Sequence, residues 1–152
     1  MKLSFSEKLH ILIATGFFSG YSKVMPGTVG TAASIPFAIL LNYLLGNFTV
    51  LVIIIIGSIY SFFICYDVER IFGKKDPGEI VIDEWFGFFI SVFLLPISFK
   101  NYLIAFILFR IFDIIKPFPI KNLEKIPHGI GVVADDLMAG LYTFIIMQIF
   151  II

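Results

Sequence analysis

Five carboxylates stand in strongly apolar surroundings: the neighbours Asp83 and Glu84, Asp113, and the neighbours Asp135 and Asp136, with Glu79 and Arg110 close to them in sequence. Removing a carboxylate from water costs several kcal/mol unless a cation or hydrogen bonds compensate. Only 14% of the residues are charged, so acids kept beside apolar stretches ask for a reason. A divalent cation supplies one, and hard oxygen ligands of this kind suit Mg²⁺ and chemistry on a phosphate. Asp135 and Asp136 repel each other, and no Lys or Arg follows Lys125 to neutralise them. Glu79 and Asp83 are spaced i,i+4 and share a face if that segment is helical, whereas Asp83 and Glu84 point differently. Capping of a helix start after Pro77-Gly78 accounts for one of these acids, helped by the macrodipole, but less well for three.

Two further stretches complete a candidate site. Arg110, Asp113 and Lys116 follow one another at i,i+3, near one helical face, and Pro117 ends that helix. An Arg110–Asp113 ion pair would be structural; the same geometry also aims a guanidinium or ammonium at phosphate oxygens beside a metal-bound Asp. The loop Met25-Pro26-Gly27-Thr28-Val29-Gly30-Thr31 precedes an apolar run, with Thr28 or Thr31 placed to cap it. Free N–H groups at such a helix start suit an anion, and a capped helix with Gly at packing contacts is the competing reading. His128 is a candidate general acid, although beside Pro127 and Gly129 it reads more simply as a loop residue; His10 has no evident role.

These residues need elements to hold them, and composition says which. The 152 residues match one domain by length, 1–152, and 59% are hydrophobic, with 19 Phe. A mean hydropathy of +1.02 lies far outside the soluble average, so a bilayer is the solvent for part of the chain. A net charge of zero offers no basic stripe for nucleic acid. The lone Cys65 excludes an internal disulfide and a multi-Cys zinc site, and Arg70 follows it one residue too soon for a cysteine-phosphatase loop. Residues 9–18 form a short apolar stretch after Lys2 and Lys8, read as retained and interfacial or re-entrant rather than as a cleaved signal. Apolar blocks follow at 29–45, 48–66, 85–97, 102–115 and 137–152, and the third reaches spanning length if it begins near Glu79. The pattern predicts an all-α, membrane-embedded bundle of about four to five apolar helices. Pairing the blocks as hairpins delivers the polar segments 21–28, 67–84 and 110–136 to one membrane face. Arg70, Lys74, Lys75, Arg110, Lys116, Lys121 and Lys125 lie on that side and Lys100 on the other, which predicts a cytoplasmic site.

The motifs PGTVGT at 26–31, DPGEIVIDEWFG at 76–87, FRIFDIIKPFPI at 109–120 and GIGVVADDLMAG at 129–140 together resemble the phosphatidylglycerophosphatase A family, bacterial inner-membrane enzymes of phospholipid synthesis. The resemblance covers the chain from about Gly16 to Tyr142. It implies Mg²⁺-dependent hydrolysis of phosphatidylglycerophosphate to phosphatidylglycerol and phosphate, at a helical membrane domain facing the cytoplasm. It implies acidic site positions at Asp83, Glu84, Asp113, Asp135 and Asp136, and basic ones at Arg110 and Lys116. The resemblance and the residue chemistry together make Asp83, Glu84, Asp135 and Asp136 expected metal ligands, with Glu79 added from its i,i+4 spacing to Asp83, and Asp83, Asp113 and Asp136 expected catalytic residues. Thr28, Arg110, Lys116 and Lys23 are expected to meet the substrate. Lys23 replaces a Pro frequent in relatives, and His128 replaces a Gly, so His128 inherits no role. Ion or proton translocation, or a non-catalytic membrane scaffold, would use the same acids. The Asp-x-Asp-x-Thr, Lys-x₆-Arg-Pro and Asp-Gly-x₂-Ala-Arg signatures of other lipid-phosphate chemistries are absent.

Overall fold

The computed structural model describes residues 3–127 and 129–150, so Lys2 and His128 lie outside the described residues. Among the described residues every regular element is helical: α1 (Phe5–Ala14), α2 (Pro26–Leu44), α3 (Asn47–Phe72), α4 (Ile82–Ser91), α5 (Phe99–Ile115), α6 (Ile120–Leu123) and α7 (Ile130–Phe150), with a 3₁₀ turn at Ser19–Tyr21. This is the all-α architecture that the apolar blocks predict. Three of these helices, α2, α3 and α7, are long and apolar enough to cross a membrane. The β-branched run Ile53–Ile56 lies inside α3, which at about 1.5 Å per residue is roughly 39 Å long. Its outward residues Ile55, Ile56 and Phe63 stay exposed, as a helix solvated by hydrocarbon requires.

Local signals set the ends. A reciprocal Ser4–Glu7 capping box starts α1. Gly73, at φ 65°, stops α3 by returning its N–H to the Glu69 carbonyl. The Ser98 side chain accepts from the Asn101 N–H to start α5, and Lys116, at φ 48°, ends it just before Pro117.

Four boundaries differ from the sequence reading. The apolar stretch 9–18 is not one element: α1 covers Phe5–Ala14, its start fixed by the capping box, and residues 15–18 turn away from it. The third apolar block does not span: α4 is ten residues long, since the Asp76–Val81 stretch is a turn and the chain bends again after Ser91, with Leu94 at φ 63°. Neither Thr28 nor Thr31 caps α2. The helix begins nearly one turn earlier than a Thr28 cap would allow, with Pro26 first after Met25 in the left-handed region, and Thr31 donates back to the Gly27 carbonyl at 2.8 Å. Asp135 and Asp136 do not precede the last helix but lie inside α7, which starts just after Gly129 at φ 72°.

The short α4 sits at the centre, packed against α7, α2, α3 and α5. Its closest neighbour is α7, and two glycines allow the approach. A Cβ on Gly87 would stand 2.6 Å from the Asp136 carbonyl oxygen, and one on Gly140 would run into the Gly87 backbone. Small residues facing each other let two helix backbones meet, which sets how far the acids of α4 stand from those of α7. Gly140→Ala is therefore expected to cost about 1–3 kcal/mol by overpacking. It should also weaken divalent-cation binding, checked by thermal unfolding in detergent and by Mg²⁺ titration. Unchanged values for both would sever the link between this contact and the site.

Candidate functional site

The start of α2, the turn before α4, the first turn of α4, the end of α5 and the first turns of α7 converge at one end of the bundle. They enclose a cavity of about 330 Å³. Asp83 and Glu84 enter from α4, Asp136 from α7. One carboxylate oxygen from each lies within 4.8 Å of the other two. Asp83 is 5% exposed and Asp136 4%. The two acidic pairs are built alike: Asp83 Oδ1 accepts the Glu84 N–H at 3.0 Å, and Asp135 Oδ1 accepts the Asp136 N–H at 3.0 Å. In each pair the first acid is fixed by the backbone of the second.

Cations from α5 and its end complete the wall. Arg110 Nη1 meets Asp113 Oδ2 at 2.6 Å and Glu84 Oε1 at 3.8 Å, and donates to Thr31 Oγ1 at 3.5 Å. Lys116 Nζ binds Asp135 Oδ2 and lies 3.4 Å from Glu124 Oε1. Asp135 thus belongs to a lysine pair, while its neighbour Asp136 faces the carboxylate triad. At the start of α2, a Cβ on Gly27 would run into Glu84 Oε1 and stand 3.1 Å from Arg110 Nη1, so glycine lets this helix end close on both side chains. The Gly27 and Thr28 N–H groups lie in the first turn, where no intrahelical acceptor exists.

Among the described residues, four buried polar atoms at this cavity have no hydrogen-bond partner: Thr28 Oγ1, Glu84 Oε2, Arg110 Nε and Asp136 Oδ1. Buried polar groups are almost always satisfied, so an unpartnered set around one cavity is the mark of a site completed by ligand. Two of these are carboxylate oxygens of the triad, and a hard divalent cation fits that donor set. The other two, a hydroxyl and a guanidinium nitrogen, fit an anion.

Thr28, Asp83, Glu84, Arg110, Asp113, Lys116, Asp135 and Asp136 all line the cavity, as the spacing of the motifs implies. Glu79 and Lys23 do not. Glu79 sits in the turn before α4 rather than on its face, and its carbonyl covers Gly20, while Lys23 is exposed. One acid that the motif reading passed over, Asp76, joins the lining. Its signal was the Asp-Pro-Gly turn directly before α4.

Burial pushes Glu84 up to about 7: the hydrogen bond with Asp83 works against this, and the charge of Asp113 adds to it. Burial, then the charge of Glu84, raises Asp83 well above the usual carboxylate range. Burial works to lower Lys116, but its hydrogen bond to Asp135 outweighs this and holds it above the usual lysine value. For the carboxyls the native state binds more protons than the unfolded chain. Their stabilising contribution is then full below the unfolded value near 4.5 and lost as pH rises through about 7. The metal-free protein is expected to be more stable at pH 5 than at pH 8, on the order of a few kcal/mol. Mg²⁺ binds only the ionised acids, so its affinity should rise over the same interval. Thermal unfolding with chelator and Mg²⁺ titrations across this range check both signs.

The sequence as a whole matches the family model described as phosphatidylglycerophosphatase A over residues 12–151. Phosphatidylglycerophosphatase A of Escherichia coli K12 is 37% identical over 144 residues, covering 93% of this chain and 83% of the relative. The Haemophilus influenzae protein of the same name is 37% identical over 148 residues, 96% of this chain and 90% of the relative. A putative phosphatidylinositol-3-phosphatase of Bacteroides thetaiotaomicron is 36% identical over 149 residues, 93% of this chain and 92% of the relative. No solved structure matches. The match runs through all four motifs that build the cavity, and by it the chain belongs to the phosphatidylglycerophosphatase A family.

Proposed function

We propose that this protein is an Mg²⁺-dependent lipid phosphatase that hydrolyses the phosphomonoester of phosphatidylglycerophosphate to phosphatidylglycerol and phosphate. The observation that carries the reading is the buried Asp83–Glu84–Asp136 triad beside Arg110, with unpartnered atoms of both charge types facing one cavity. Asp83, Glu84 and Asp136 would hold the ion, which supplies Lewis-acid polarisation of the phosphoryl group when bound. Arg110 Nε and the first-turn N–H groups of α2 receive phosphoryl oxygens, and Thr28 Oγ1 orients them. Asp113 keeps Arg110 in place through Oδ2, which leaves Oδ1 to take the proton of the attacking water. Lys116, held protonated by Asp135, adds positive charge at the mouth as charge builds on the transferring group.

The basic residues Arg70, Lys74, Lys75, Lys121 and Lys125 fall in the same segments, 67–84 and 110–136, that supply the acids of the cavity, which supports a cytoplasmic face in a bacterial inner membrane. Against ion translocation, the buried acids Asp83, Asp135 and Asp136 gather at one end instead of forming a path across the bundle.

The test is phosphate release by purified protein in mixed micelles, from phosphatidylglycerophosphate and from phosphatidylinositol 3-phosphate, with Mg²⁺ or chelator. Turnover of the first lipid, lost on chelation, is expected. Preference for the inositol lipid would move the substrate, and turnover unaffected by chelator would end the metal assignment.

A further inference from the structure

The catalytic cavity accounts for a phosphate but not for the hydrocarbon attached to it. A second, strongly apolar groove of about 380 Å³ lies between α2 and α5, walled by Ala32, Ile35, Ile39, Leu103 and Phe106. Its position relative to the cavity is set by helix geometry. Ala32 lies one turn beyond Thr28 on α2, and Phe106 one turn before Arg110 on the antiparallel α5, so the groove begins about 6 Å below the phosphate-binding atoms. It then runs along α5 toward Phe99, away from the polar end. The short α4 packs against both helices. At the far end Asn42 Nδ2 donates to Tyr102 Oη at 3.0 Å and ties the two helices together.

Resting on the proposed phosphatase reading, we infer that this cleft between α2 and α5 seats one acyl chain of the lipid substrate. The occupant follows from continuity: the helices that wall the groove are the ones whose ends carry Thr28 and Arg110. A phosphate held there leaves its glycerol one turn from an apolar channel pointing into the bilayer. A larger apolar groove, about 570 Å³, lies along Ile59, Phe62, Phe63 and Tyr66 of α3 with Ile130. Among the described residues α3 contributes nothing to the cavity lining, so a chain seated there would not be joined to a headgroup at Arg110. The cleft makes hydrolysis depend on acyl length up to the Asn42–Tyr102 closure.

Two arms test this on the full chain. In nanodiscs with chelator, phosphatidylglycerophosphate carrying a diazirine midway along an acyl chain should label α2 and α5 around Ile35 and Leu103. Unlabelled substrate should compete and phosphatidylcholine should not. Labelling at Ile59 and Phe63 instead, or labelling that phosphatidylcholine displaces equally, overturns the inference. In the kinetic arm the groove is filled by Leu103→Trp, at a position 44% exposed and outside the core, or by Ala32→Phe. KM for a long-chain substrate should rise at least tenfold, while kcat/KM for the deacylated headgroup stays within twofold. Equal shifts for both substrates, or none, overturn it. No phosphate release by the unsubstituted protein from either substrate would refute the phosphatase reading instead, and competed labelling of α2 and α5 would still locate the chain.

Discussion

Asp136→Asn is expected to reduce Mg²⁺-dependent phosphate release by about a thousandfold or more, while raising the thermal stability of the metal-free protein. Asp136 is 4% exposed, its Oδ1 has no partner, and its charge stands beside Asp83 and Glu84. The amide keeps the shape and removes one of three crowded acids, whose mutual repulsion grows as pH rises through about 7 and the triad ionises. Metal-free repulsion falls, and with it the affinity for a cation. Asp135→Asn provides the contrast. That residue is tied to Lys116, so its loss leaves a half-buried ammonium with Glu124 alone and should destabilise. The two adjacent substitutions should therefore move the unfolding temperature in opposite directions with chelator present. Steady-state phosphate release and thermal unfolding with and without Mg²⁺ measure this. An Asp136→Asn protein that keeps most of its activity would remove the triad from the mechanism.

Arg110→Ala should lower kcat/KM by about 10³-fold, and Arg110→Lys by about 10²-fold. The guanidinium meets Asp113, Glu84 and Thr31 with Nη1, lines the cavity and keeps Nε without a hydrogen-bond partner. A lysine can keep the Asp113 pair but has no second, rigidly placed donor for a phosphoryl oxygen. Mg²⁺ affinity separates this role from a structural one. Without the guanidinium, Glu84 and Asp113 lose their neutralising charge, so the cation should bind more tightly even as turnover collapses. A purely structural arginine would, on removal, loosen metal binding and slow catalysis together. Isothermal titration alongside kinetics distinguishes the two.

How much of this was legible in the residues follows from what each level of structure controls. Hydropathy alone required hydrocarbon-solvated helices, because so little charge is available to face water, and α2, α3 and α7 answer to it. The short connections sent the polar segments to one end, and the acids meet there. Even Arg110–Asp113 was implicit, since i,i+3 residues meet on any helix. The division of labour among the acids was not implicit. Adjacent residues on a helix point about 100° apart, so Asp135 and Asp136 had to face different partners, but the helix alone does not say which. The Gly87–Gly140 approach fixes how α7 is turned against α4, sending Asp136 to the triad and Asp135 to Lys116. Glu79 was lost to the site for a related reason: the turn after Asp76 delays α4 until Ile82, so the i,i+4 relation with Asp83 never forms. The sequence by itself determined which chemical groups are present and which end of the bundle holds them. Only tertiary packing decided which oxygens share one cavity, because that depends on helix rotation and backbone approach, set by contacts between segments far apart in the chain.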